Sequence, residues 1–358
     1  MSIVIDTVPL LSPLTGVGKY TFEISKRLMQ KEDVTFYYGF YTKKLITSPS
    51  RSFSVSRFPL LKKVLRRVLR KRMSKKFDVY FEPNFIPLEN IRADKIITTV
   101  HDFSFYFHKE WHPKERVEFF EKNFWENIKK SDIIVVDSEY IKKEAKEFFN
   151  DKPIEVVYCG IDKNVFRNYS DEETNQIKKT YNLPDKFMLF VGSIEPRKNL
   201  LNLLKAYDML YEDIKKEYPL VLVGFSGWDN ENIMKLIKKN SKYVKYVGYV
   251  NEKELACIYN AAFLFVYPSF YEGFGLPPLE AMACGCPVIV SNRASLPEIC
   301  GNSALYCNPY SVEDIKSKIE MFLFDETFRQ NMKKEGRKRS DLFTWEKSVE
   351  KLLYLFEG

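Results

Sequence analysis

Residues 271–290 read YEGFGLPPLEAMACGCPVIV. Glu272 and Glu280 stand eight positions apart, separated by Gly273, Phe274, Gly275, Leu276 and the pair Pro277–Pro278. Proline's missing N–H costs nothing in a first helical turn, so the pair predicts a helix start. That leaves Glu272 in a loop and predicts Glu280 in the first turn. The glycines allow left-handed backbone and close approach of a ligand. A glycine loop entering a helix offers free N–H donors and the positive end of a dipole, which suits a phosphate. Carboxylates beside a phosphate site suit hydroxyls, such as those of a ribose and a sugar. The stretch therefore reads as a nucleotide-sugar site. A capped helix with two solvated glutamates is the plainer alternative.

Working outward, short β-branched or aromatic runs alternate with helical stretches, the pattern of α/β domains with mostly parallel sheets. First-half strands are expected at 3–7, 34–38, 79–81, 96–100, 133–136 and 154–157, with helices such as 18–30 and 113–130. The polar segment NYSDEETNQIKKTYNLPD after Phe166 is the expected border. A second series follows, with strands at 187–191, 220–223, 244–246, 264–266 and 288–290 and helices at 200–210 and 230–239. The reading is two Rossmann-like domains, 1–168 and 169–342. The amphipathic stretch 343–358 returns to complete the first. Two such domains facing each other hold ligands at the carboxyl ends of their strands.

The chain has 358 residues, 45% of them hydrophobic, 15% aromatic and 29% charged. This is the composition of a folded globular protein and excludes a disordered one. No apolar run approaches the roughly 18 residues needed to cross a bilayer. The opening MSIVIDTV lacks a basic region and reads as a first strand, not a secretion signal. Six cysteines without a CxxC pair read as reduced core residues. The net charge of +8 is uneven: residues 1–180 hold 33 Lys/Arg and 25 Asp/Glu, and residues 181–358 hold 23 of each. Much of the excess lies in 61–76, LKKVLRRVLRKRMSKK, where apolar residues recur on one helical face. Lys62, Lys63, Arg66, Arg67, Arg70 and Lys71 are expected to lie on an anionic membrane surface. A solvated basic helix packed on its own sheet, or a nucleic-acid contact, are the alternatives. No nucleic-acid-binding module is recognisable.

Other candidates sit at strand ends. Gly192-Ser193-Ile194-Glu195-Pro196-Arg197-Lys198 follows the strand FMLFV and precedes a helix. Cations at a helix start oppose the dipole, so Arg197 and Lys198 point to an anion such as a diphosphate. Gly16-Val17-Gly18 carries half of a GxGxxG, and the missing third glycine argues against a dinucleotide enzyme. His101 follows the strand IITTV, placed to donate to a sugar hydroxyl or to serve the core. Neither HKEWH nor any Asp-x-Asp supplies a metal-ligand set, and no metal or other cofactor is expected.

These stretches, with HDFS, VDSEYIKKE and YCGIDKNVF in the same order, resemble glycosyltransferase family 4 over nearly the whole chain. Glu272-GFGLPPL-Glu280 matches that family's E-x7-E signature. The resemblance implies a GT-B fold, with the final helix crossing back to the first domain, and a retaining transferase that uses a nucleotide-sugar. It assigns Glu280 to the ribose and Glu272 to the donor sugar. The backbone of Gly273, Phe274, Gly275 and Leu276 meets the diphosphate or sugar, and Lys198 with Arg197 neutralises the leaving diphosphate. His101 touches the hexose, Gly16 and Gly18 lie under the diphosphate, and the loop 248–250, through Val250, seats the base. Many members have Arg where this chain has Ser193. The EPRKN loop and LVGFSGWDN look most like mannosyltransferases that use GDP-mannose for cell-surface polysaccharide such as lipopolysaccharide, although UDP-hexose and dTDP-rhamnose users share most of the motifs. A lipid-linked or glycan acceptor is expected, with the protein cytoplasmic and peripheral on the inner face of the membrane. Asn84, Phe105 and His108 are acceptor-side candidates. A non-catalytic nucleotide-binding partner subunit is the rival reading.

Overall fold

The computed structural model describes residues 1–12, 14, 16–46 and 75–358. The chain divides into two compact units. The first comprises Met1–Phe103, Lys114–Cys159 and Trp345–Gly358, and the second Ser104–Pro113 and Gly160–Thr344. The border thus falls at Cys159/Gly160, ahead of the expected 168/169, and the short segment after Phe103 joins the second unit. The polar stretch expected as the border contains the helix Asp171–Thr180. Ser170 and Glu173 form a capping box at its start.

The first unit has a seven-stranded sheet. Its strands are β1 (Ser2–Asp6), β2 (Asp33–Tyr37), β3 (Tyr41–Thr42), β4 (Lys76–Glu82), β5 (Arg92–Val100), β6 (Ile133–Val136) and β7 (Ile154–Val156). They run in the order β3-β2-β1-β4-β5-β6-β7, parallel throughout except for the short edge strand β3. The runs Ile3–Ile5 and Ile134–Val136 are fully buried, as expected for parallel strands covered on both faces. The helix Gly16–Leu28 begins at Gly16 itself, so Gly16 and Gly18 lie in its first turn and not in a loop ahead of it. The final helix, Trp345–Glu357, packs on it. Trp345 is fully buried with its ring 6.0 Å from Tyr20, and Arg27 Nε donates to Glu346 at 2.7 Å. Lys95 Nζ donates to the carbonyl of Leu355 at 3.1 Å, which ties the helix end to β5.

In this sheet the chain leaves β1 for β2 on one side and returns to β4 on the other. Asp6 ends β1 and Glu82 ends β4, so two buried carboxyls meet at that junction. Val8 N donates to Asp6 Oδ1 at 2.9 Å, Asn84 N to Glu82 Oε1 at 2.9 Å, and the Tyr80 hydroxyl to Glu82 Oε2 at 2.5 Å. Burial pushes Asp6 up to about 6, and burial with the charge of Asp6 pushes Glu82 well above the usual carboxylate range. Unfolded, Asp6 titrates near 3.8. The folded state therefore holds this proton more tightly. The stability it contributes is complete below about pH 4 and lost as pH rises through about 6. Asp6→Asn should reduce the fall in unfolding free energy between pH 4 and pH 7.5 by about 2–3 kcal/mol. Urea unfolding at the two pH values measures it, and an unchanged pH dependence would refute the assignment.

The second unit has a six-stranded parallel sheet of β8 (Met188–Val191), β9 (Leu220–Val223), β10 (Val244–Gly248), β11 (Leu264–Tyr267), β12 (Val288–Ser291) and β13 (Leu305–Cys307). Their order is β10-β9-β8-β11-β12-β13. Strands β3 and β13, two and three residues long, are not foreseen from sequence. All six cysteines are buried free thiols.

Candidate active site

The chain leaves β8 towards β9 and β10, then returns to β11 on the opposite side of β8. The carboxyl ends of β8 and β11 therefore border a topological switch point, where open α/β sheets bind ligands. Both signature loops start there. Beyond β8 the backbone passes Gly192–Glu195 and turns through the 3-10 segment Pro196–Lys198. Asn199 then adopts a left-handed conformation, φ 57°. Its Nδ2 donates to the carbonyls of Pro268 at 2.8 Å and Pro309 at 2.7 Å, which binds this turn to the loop after β11.

That loop carries Glu272, buried with both carboxylate oxygens occupied. Oε1 accepts from Lys198 Nζ at 2.7 Å, Tyr267 OH at 2.8 Å and Ser269 Oγ at 2.7 Å. Oε2 accepts from Arg197 Nη1 at 3.1 Å. Arg197 also donates from Nη1 to the carbonyl of Tyr271 at 2.9 Å and from Nη2 to Glu195 Oε1 at 3.0 Å. Ser193 Oγ donates to the other oxygen of Glu195 at 2.9 Å. The four formal charges, two cations and two carboxylates, cancel. Arg197 and Lys198 are thus not open cations awaiting an anion, as their sequence alone suggests. They are already counter-charged within the chain.

Burial by itself would raise the pKa of Glu272. Lys198 and Arg197, with the bonds from Lys198 and Ser269, outweigh it and hold the carboxyl at about 2. Glu272 is therefore a fixed anion, not a proton donor. Burial and the neighbouring Arg197 hold Lys198 below its ordinary range, with Glu272 opposing. Lys198 Nζ has three protons. Two go to Glu272 and to Tyr267 OH at 2.7 Å, and the third has no hydrogen-bond partner among the described residues. A desolvated ammonium held in place by a carboxylate needs no reorganisation to stabilise negative charge that develops nearby.

The helix Leu276–Ala283 opens directly after this loop, with Pro277 and Pro278 inside its first turn as expected. Neither proline has an N–H, so only Leu276 and Leu279 keep donors among the first four positions. Gly275 caps the helix at φ +107°, and a Cβ there would stand 2.6 Å from Leu296 Cδ2, so glycine is required. Ser295 Oγ donates to the carbonyls of Glu272 and Phe274, each at 2.8 Å, and so pins the segment through Gly273. Glu280 is the fifth helical residue, one past the expected first turn. It is buried and accepts from Tyr259 OH at 3.3 Å. Val250 is buried in the loop after β10, beside the exposed Tyr249, whose ring stacks on Phe225 at 4.5 Å.

In the first unit, His101 follows β5 and is buried. Its Nδ1 lies 2.7 Å from Asp137 Oδ2 and its Nε2 lies 2.8 Å from the carbonyl of Pro83. An ionised Asp137 and the carbonyl of Pro83 both accept, an arrangement that favours the doubly protonated ring. Burial would lower its pKa, but the charge and hydrogen bond of Asp137 and the bond to Pro83 raise it. Both ring nitrogens of the histidine that the sequence reading offered to a sugar hydroxyl are engaged within the unit. Donation to a ligand requires one of these bonds to be exchanged. Among the other first-unit candidates, Asn84 uses its backbone N–H on Glu82. Phe105 and His108 fall in the segment that joins the second unit, Phe105 being buried.

Glu195, Tyr267, Ser269 and Asp137 are functional candidates that sequence reasoning missed. Tyr267 and Ser269 lie within five residues of Glu272 at a strand end, a signal that was present. Asp137 lies in the stretch VDSEYIKKE, but it is 36 residues from His101 and nothing in the sequence pairs the two. The basic residues Lys62, Lys63, Arg66, Arg67, Arg70 and Lys71 lie outside the described residues. Among the described residues no helix is long and apolar enough to cross a membrane, and no group of three or more His, Cys, Asp or Glu is gathered to hold a metal.

Residues 14–165 match the model of glycosyltransferase family 4, and residues 171–339 that of glycosyl transferases group 1. The chain is 33% identical over 373 residues to O-antigen chain mannosyltransferase B of Escherichia coli, a match that spans 97% of each chain. In structure it is similar to sucrose-phosphate synthase from Thermosynechococcus elongatus, with a TM-score of 0.76 at 19% identity, covering 100% of this chain and 98% of the other. It is also similar to WaaG, a glycosyltransferase involved in lipopolysaccharide biosynthesis, with a TM-score of 0.74 at 15% identity and complete coverage of both chains. These likenesses establish the GT-B fold.

Proposed function

Because the chain belongs to glycosyltransferase family 4, we propose that it is a retaining, metal-independent hexosyltransferase that moves mannose from GDP-mannose onto a lipid-linked or cell-surface glycan. One observation carries the chemistry: the buried Lys198–Glu272–Arg197 cluster at the switch point of the second sheet. The relative named as an O-antigen mannosyltransferase supports the sugar.

In the proposed reaction the bond from C1 of the hexose to the diphosphate breaks on the face where the acceptor oxygen attacks. The acceptor proton passes to the departing phosphate oxygen. Negative charge grows on that phosphate, and the third proton of Lys198 and the N–H of Leu276 supply donors for it. Glu272 holds Lys198 in place and compensates positive charge at C1. It is not a nucleophile, because both of its oxygens are engaged. Glu280 takes the ribose hydroxyls, and the loop through Val250 seats the base. A non-catalytic subunit would have no use for a buried lysine oriented by a carboxylate oxygen that two further donors, Tyr267 and Ser269, hold in place. Attachment to the inner face of the membrane through residues 61–76 belongs to the same proposal.

The test is the anomeric outcome in the presence of a chelator. With GDP-α-mannose and an α-mannoside acceptor, NMR should show an α-linked product at an EDTA-independent rate. A β-linked product, or activity lost to EDTA and restored by a divalent cation, would overturn the mechanism.

A further inference from the structure

Resting on the glycosyltransferase reading, we infer that aromatic rings of the second unit form a binding surface for the glycan acceptor chain, running from the segment 104–113 past the loop that carries Glu272. The rings come from three separate places in the sequence. His108 stacks on Trp111 with centroids 3.9 Å apart. Trp111 lies 5.7 Å from Phe270 with an interplanar angle of 13°, and Phe270 lies 4.9 Å from Tyr310 at 29°. Ring atoms in contact are about 3.5–4.0 Å apart. Near-parallel rings with these larger centroid separations must be offset, so each leaves part of its face uncovered and the series descends in steps.

Two features point to sugar as the occupant. The first is continuity with the active site. Phe270 is two residues from Glu272, and His108 meets the edge of Tyr271 at 5.6 Å. A chain laid along the steps therefore passes the loop where the new bond forms. The second is polarity. A pyranose presents C–H groups of positive character on one face, which suit the negative face of an aromatic ring, and hydroxyls around its edge. A polar group lines the ring series to match. Arg293 sits 5.7 Å over Tyr310, and its exposed guanidinium makes no hydrogen bond or ion pair among the described residues. Tyr310 is 59% exposed, so that end of the surface is open. The backbone under the central ring is fixed, because Trp228 Nε1 donates to the carbonyl of Trp111 at 2.7 Å. An acyl chain would leave the Arg293 guanidinium unmatched, whereas hydroxyls satisfy it.

Saturation-transfer NMR with the full chain, GDP and α-mannotetraose tests this without turnover. The tetraose should bind, and Tyr310→Ala and Trp111→Phe should each weaken it at least fivefold while the Kd for GDP stays within twofold. Arg293→Gln, which leaves every ring in place, should weaken the tetraose but not methyl α-mannoside. Absence of tetraose binding, or equal affinity in all three variants, would overturn the surface. GDP-mannose hydrolysis by the wild type, followed in parallel, separates the two readings. If hydrolysis is absent while the tetraose binds, the donor reading fails and the surface stands.

Discussion

Lys198→Ala is expected to lower kcat by about two to three orders of magnitude, the loss typical for one preorganised donor to a developing oxyanion. The argument rests on where the ammonium is held. Lys198 is buried, and Glu272 and Tyr267 fix its direction at 2.7 Å each. Its remaining proton is therefore aimed before the donor arrives. Charge builds on the diphosphate as the glycosidic bond stretches, so the interaction strengthens towards the transition state and is lost from kcat more than from binding. Lys198→Arg should not rescue activity, since a planar fork cannot reproduce a single point donor between a phenol and a carboxylate. The fold should survive. Removing one member of a buried pair costs about 3–5 kcal/mol when it strands a charge. Here Arg197 remains 3.1 Å from Glu272, and the loss should be smaller. Steady-state kinetics with a parallel unfolding curve checks both points. A kcat within tenfold of wild type in a folded variant would remove Lys198 from the mechanism.

Glu272→Gln should cost turnover on a similar scale, about 10²–10³-fold, through a different cause. The side chain keeps its shape, but one end becomes a donor. It then faces either Arg197 or the set of Lys198, Tyr267 and Ser269, all of which donate. The cluster also changes from balanced charge to an excess of one cation. Lys198 already lies below its ordinary pKa, and without its carboxylate it falls further. The variant's residual kcat should therefore decline with rising pH at lower pH than the wild type's. GDP, an anion, should bind as well as before or more tightly. Loss of turnover with GDP affinity retained is the signature of a residue that orients a cation. A proportionate loss of GDP affinity would instead make Glu272 a binding residue, and near-normal turnover would make it neither.

Much of the fold was legible because parallel strands are buried on both faces and leave continuous apolar runs. Met188–Val191, Leu220–Val223 and Val288–Ser291 are such runs, and each is almost wholly buried. The helix Asp171–Thr180 reads as a polar border in sequence because only Ile177 of its ten residues is buried, so it shows no apolar stripe. Its capping box, Ser170 to Glu173, was the signal overlooked. In the site, Glu272, Glu280, Arg197 and Lys198 were legible as residue types beside predicted turns. Their pairing was not, since Lys198 and Glu272 are 74 positions apart and meet only because β8 and β11 are neighbours. The same holds for His101, whose two ring nitrogens meet Asp137 and the carbonyl of Pro83. Ser193, noted as a departure in sequence, has a structural partner in Glu195, which in turn holds Arg197.

Nucleoside diphosphate release measured across GDP-mannose, UDP-glucose, UDP-GlcNAc and dTDP-rhamnose, with α-mannotetraose as acceptor and EDTA present, tests the central claim most directly. The account predicts rapid release of GDP alone, abolished in Lys198→Ala. Faster release from any other donor, or none from all four, would contradict it.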